Sequence, residues 1–133
     1  MKTYVELRPA QGAAKSVLVF GVYMLGQGTV LLGAPNLLLE PLGLGRTVEF
    51  WPRAVGISLL VLGFYYVLAA RQGLVAFFRL TVLGRTFQLI AFIGCVLAGV
   101  VTWRILPTAL LEALAGGWTF WALWREGAWR QGA

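Results

Sequence analysis

Glu112 carries the most chemistry in this sequence, because it sits inside an apolar, helix-length run from Arg104 to Trp124, RILPTALLEALAGGWTFWALW. A carboxylate in such a run is costly in hydrocarbon and needs a partner, a cavity or a route to the interface. Glu112 stands five residues past Pro107, roughly 7–8 Å along a helix. That is about halfway from the outer boundary to the midplane of a ~30 Å core. Arg53 and Arg104 are candidate partners on that side, with Glu49 competing for Arg53 from one helical turn away. Gln27 and Thr29 fall in the same leaflet. Two readings stay open: a Glu–Arg pair that locks helices together, or a polar pocket for a ligand, ion or proton.

A second polar group, Tyr65, Tyr66, Arg85 and Gln88, belongs to the opposite half. Tyrosines there anchor the interface, and Arg85 reads as a snorkelling side chain beside lipid phosphate, together with Arg71 and Arg79. The absences narrow the chemistry further. With no His, bis-His haem ligation, His-based zinc sites and Ser/His or Cys/His catalysis are excluded. A lone Cys95 forms neither an intrachain disulfide nor a CxxC pair. No catalytic, metal or cofactor-binding constellation is expected, and the chain reads as a protein without an enzymatic site of its own.

The elements that must position these residues follow from composition. The chain has 133 residues, 59% hydrophobic and 12% charged, where a soluble domain carries roughly a quarter charged. Its natural solvent is lipid. The 11 Lys and Arg against five Glu flank the apolar runs; they form no basic stripe, so nucleic acid is not an expected partner. The pattern predicts an all-α, polytopic four-helix transmembrane bundle with short interfacial segments. The predicted spans are about 16–32, 54–70, 86–103 and 107–124, between polar tails at 1–15 and 125–133. The first run reads as a retained helix, since LLGAP lacks the small-residue pattern of a signal cleavage site. Segments 33–46 and 71–85 read as interfacial, the first from its Pro and Gly density and the second from arginines among phenylalanines. Thr47 is a candidate N-cap for the second helix.

Placing both termini in the cytoplasm puts eight basic side chains inside and three outside. Trp51 and Trp103 then fall in the outer aromatic belt, and Trp121 and Trp124 in the inner one. Ala91, Cys95 and Gly99, and likewise Ala109, Ala113 and Gly117, follow small-xxx-small spacing and are expected to let helices approach closely. Residues 34–45 align with 106–117 at an offset of 72. A duplication would make Glu40 and Glu112 equivalent.

The stretch WPRAVGISLLVLGFYYVLAAR (51–71) resembles the second helix of a group of small bacterial four-helix membrane proteins, through Arg53, Gly56, Leu62, Gly63 and the Tyr65-Tyr66 pair. APNLLLEPLGL and FFRLTVLGR extend the likeness over residues 30–90. The Arg-x-x-Gly and Leu-Gly spacing is more loosely similar to DoxX-like proteins, some of which are linked to quinone-coupled oxidation. That resemblance implies no cofactor ligand in this chain. The expected role is a non-enzymatic accessory subunit or a lipid- or quinone-binding protein of a bacterial inner membrane. Its expected partners are the bilayer and a larger membrane complex or further copies of itself. The alternatives are a small oligomeric transporter or channel using Glu112, and a DoxX-like component of a quinone-linked oxidoreductase.

Overall fold

A rise of 1.5 Å per residue requires about 20 residues to cross a ~30 Å hydrocarbon core as a helix. A computed structural model of the chain describes residues 11–127, and every regular element among them is helical. These are α1 (Gln11–Gly33), α2 (Asn36–Leu39), α3 (Trp51–Gln72), α4 (Val75–Leu97), a 3-10 turn (Trp103–Ile105) and α5 (Leu106–Arg125). Helices α1, α3 and α4, of 23, 22 and 23 residues, are long and apolar enough to cross a membrane. α5 has 20 residues, but Glu112, two threonines and three tryptophans dilute its hydropathy. Residues 1–10 and 128–133, most of the expected tails, lie outside the described residues; 11–15 belong to α1.

Helix boundaries follow local chemistry. Pro52, at the start of α3, lacks an N–H that would have no intrahelical partner there. α3 ends at Gly73, whose φ of 67° admits the left-handed turn. Gly73 N–H then bonds Ala70 O at 3.3 Å, and Leu74 N–H bonds Ala69 O at 3.1 Å. After that turn the chain resumes helix at once, so α4 begins at Val75 and not near Thr86 as the charge pattern predicts. No proline interrupts 75–85, and arginine is a good helix former. The expected interfacial segment is therefore the first half of α4, and Arg85 lies in mid-helix. Thr47 does not cap α3, which starts at Trp51. Its backbone instead meets Asn36 twice, N–H to Oδ1 at 2.9 Å and O from Nδ2 at 3.3 Å, pinning the 36–47 segment to itself.

α1 stands between its neighbours. It runs antiparallel along α3 in the most extensive contact of the fold, meets α5 on another side, and touches α4 little, while α4 packs chiefly on α5. Its closest approach to α3 is made by glycines seven residues apart on each helix, Gly21 and Gly28 facing Gly63 and Gly56. A Cβ on Gly28 would lie 2.7 Å from Gly56 O, and one on Gly56 2.8 Å from Gly28 O. These backbones touch. The small-residue series expected at α4 and α5 lies elsewhere: Ala91, Gly99 and Gly117 are exposed, and nothing stands within 4 Å of a Cβ on Gly99 or Gly117. Cys95 and Ala113 are half-buried and Ala109 is buried.

One end of the bundle is closed by Ala13, Val17, Ala70, Phe78 and Leu123. At the other, the 36–47 segment rests on the 102–104 connection, with Gly43 against Thr102 and the Arg104 stem. Trp51 and Trp103 are exposed at this second end, and Trp121 and Trp124 at the first. Between the ends the outward faces are apolar: Val61, Phe64, Leu83, Phe87, Ile90 and Leu114 are exposed, from Val61 at 45% to Phe87 at 73%. So broad an apolar surface is unusual for a water-soluble monomer.

Candidate functional site: a buried carboxylate, a buried arginine and the cavity beside them

Antiparallel α4 and α5 bring Arg85 across Gly116, where its Cβ and Cδ lie 3.4 and 3.3 Å from the position a side chain on that glycine would occupy. The guanidinium passes over this gap into the bundle. It is 4% exposed, with Cζ 3.9 Å from the centre of the Phe20 ring on α1 and 5.4 Å from that of Tyr66 on α3. Stacking of this kind is favourable when desolvated. Nη1 donates to Thr119 Oγ1 at 3.4 Å. Nε and Nη2 have no hydrogen-bond partner. Arg85, expected at the lipid headgroups, is thus the most interior cation of the described chain. Its side chain cannot snorkel because α1 and α5 cover it.

Thr119 ties this arginine to α1. Its Oγ1 lies 2.7 Å from Ser16 Oγ and 3.1 Å from Ala115 O, while Ser16 Oγ lies 2.7 Å from Ala13 O. Each hydroxyl has one proton to donate. Thr119 therefore serves either Ser16 or its own helix while accepting from Arg85. Ser16, Phe20, Tyr23 and Gln27 recur at spacings of four, three and four residues on α1, one face of a helix. That face turns toward α4 and α5.

Two turns from Thr119 on α5 is Glu112, 9% exposed. It lies within electrostatic reach of Arg85 and lines one cavity with Gln88, which is one turn from Arg85 on α4. Tyr23 of α1 also feels its charge. Arg85 and Glu112 form no ion pair within 4 Å, whereas Arg46 and Glu40 do form one, 2.8 Å long and exposed. Glu112 Oε2 is buried without a hydrogen-bond partner.

Beside Glu112 is a cavity of about 190 Å³. Its polar lining is Gln27, Gln88, Thr108 and Glu112; its walls include Leu31, Val55, Leu59 and Phe92; the 38–44 segment and Trp51 roof it. No Lys or Arg lines it. Of the residues the sequence groups with Glu112, Gln27 is brought to it. Arg53 is not: its Nε donates to Leu32 O at 3.1 Å, beside an open outer cleft that it shares with Glu40 and Arg46. Arg104 is exposed, its stem against Gly43. Glu49 is exposed, with its N–H bonded to Thr47 Oγ1 at 3.0 Å. Thr29 is exposed and bonds Leu25 O at 2.7 Å.

On the other side, Arg71 and Tyr65 are exposed and Arg79 is half-buried. The aligned segments 34–45 and 106–117 adopt different structures, a short helix and turn against continuous α5. Glu40 faces outward to Arg46 where Glu112 is enclosed. Neither a family model, nor a curated protein, nor a solved structure matches this chain.

Proposed function

We propose that the chain is a four-span integral membrane protein of a bacterial inner membrane, with both termini in the cytoplasm. In this reading it is a non-enzymatic binding protein whose interior holds a small apolar molecule. α5 serves as the fourth span: at about 30 Å it matches the hydrocarbon core, and its carboxylate is turned inward, as intramembrane ionisable groups are. The exposed tryptophans at both ends support the same placement. So does the excess of basic residues at the end holding Lys15, Arg71, Arg79 and Arg125.

The orientation is checked by impermeant maleimide on intact cells. In a Cys95→Ser background, Thr102→Cys is expected to label from outside. Gln72→Cys is expected to label only after permeabilisation. The reverse pattern, or both labelling alike, defeats the topology.

The observation that carries the binding reading is the apolar cavity beside Glu112, bordered by leucines of the 38–44 segment. Cavities of this kind, apolar with a few convergent polar groups, are the usual ligand sites of helical bundles. The cavity holds a small molecule or one moiety of a larger one. The wild-type protein, purified in mild detergent, is expected to yield a specific small lipophilic compound in an organic extract. Leu59→Trp, which fills the cavity, is expected to lose it. An extract identical for the two proteins counts against binding at this place.

A further inference from the structure

The cavity's polar lining is chemically one-sided, and that narrows what it accepts. Glu112 belongs to this lining, and its Oε2 is buried without a hydrogen-bond partner. A buried acceptor left unmade costs its full desolvation, so a ligand that donates to this carboxylate gains more than one that only fills space. Gln27, Gln88 and Thr108 provide further hydrogen-bonding groups, and no cation lines the wall. An anionic head would face a carboxylate with no counter-charge beside it. A cationic head would be the second positive charge near Glu112. Arg85 already acts on that carboxylate from the α4 side, and charges are weakly screened in a low-dielectric interior.

Resting on the binding reading above, we infer that the cavity selects a neutral ligand of about one ring, carrying a hydroxyl or N–H that donates to Glu112. The size follows from the volume of about 190 Å³, since an apolar protein cavity of about 150 Å³ takes up benzene. The head is set by the carboxylate. Leu38, Leu39, Leu42 and Leu44 border the space on one side.

The test compares four fluorinated probes on the whole purified protein by fluorine NMR: 4-fluorophenol, fluorobenzene, 4-fluorobenzoate and 4-fluorobenzylammonium. Leu59→Trp and Val55→Phe report partition into detergent alone. 4-Fluorophenol is expected to bind about tenfold or more tighter than fluorobenzene, the range of one hydrogen bond to a charged acceptor. The benzoate and the benzylammonium are expected to bind more weakly than fluorobenzene. Glu112→Leu should bring 4-fluorophenol and fluorobenzene to parity. Equal affinity of those two in the wild type overturns donor selection and leaves the cavity a binding site. Tightest binding by the ammonium or the benzoate overturns the neutrality of the head. Four probes that behave alike in the wild type and both filled variants overturn the binding reading itself, and this inference with it.

Discussion

Gly28→Val is expected to separate α1 from α3 and to cost more stability than any single change on the bundle's outer faces. The position a Cβ would take on Gly28 is 2.7 Å from Gly56 O and 3.0 Å from Leu60 N. Both obstacles are backbone, so no side-chain rotation relieves the clash. The hydrogen that glycine carries there points at the facing carbonyl, the geometry of a Cα–H···O contact. Gly56 returns the contact from the other helix, at 2.8 Å from Gly28 O, and Gly63 approaches Gly21 O at 2.9 Å in the same way. Where lipid offers no apolar contrast, such backbone proximity is a principal source of helix association. Overpacking here is expected to cost about 1–3 kcal/mol or more, read as a lower midpoint of unfolding in mixed micelles. Gly26 supplies the control on the same helix. Nothing stands within 4 Å of a Cβ there, so Gly26→Ala should leave the midpoint unchanged or raise it by up to about 1 kcal/mol. A Gly28→Val protein that unfolds with the wild type would show that these helices are held by something else.

That glycine seam shows where sequence stops informing structure. Gly21 and Gly28, like Gly56 and Gly63, stand seven residues apart, a two-turn spacing visible in the sequence. It loses to the more familiar four-residue spacing of Ala91, Cys95 and Gly99. Periodicity says which residues share a face; it does not say which face meets another helix. On α4 the small face looks outward, and Gly84, Gly94 and Gly99 have no neighbour. The apolar runs, by contrast, are legible because burial in oil demands length and hydropathy, both one-dimensional properties. The helical class and the three long spanning-type helices follow from them.

The interior polar group is legible at one member only. Glu112 is conspicuous because a carboxylate in an apolar run has no cheap alternative, and it is enclosed. Its expected partners follow from depth alone. Depth ranks Arg53 and Arg104 first, yet backbone carbonyl and solvent take both. Arg85 is hidden by the assumption that arginines mark a connection. The break falls at Gly73, a glycine with φ 67°, after which α4 carries Arg85 past Gly116 and beneath α1. A gap opposite an arginine, here a glycine one turn from a glutamate on the neighbouring helix, is a pairwise feature. One chain read in order does not display it.

Arg85 and Glu112 should therefore prove coupled although they do not touch, and a double-mutant cycle is expected to show it. Arg85→Met keeps the stem on Gly116 and removes the charge above Phe20; Glu112→Gln keeps the shape and removes the opposite charge. Each alone leaves the other buried charge less compensated, at a cost below the about 3–5 kcal/mol of breaking a contacting buried pair. Together they leave no charge, and the double variant is expected to recover about 0.5–3 kcal/mol relative to the sum. Recovery to near wild-type stability is in keeping with buried ion pairs that add little net stability. Arg85→Lys should not substitute, because an ammonium lacks the flat face that stacks on Phe20 at 3.9 Å. Unfolding midpoints of the four proteins in one micelle composition decide the matter. Strict additivity would mean that the two charges are stabilised separately, Arg85 by its ring and Thr119 and Glu112 by Gln88. In that event the carboxylate would face the cavity with its charge unbalanced, and a cationic head would become the favoured occupant.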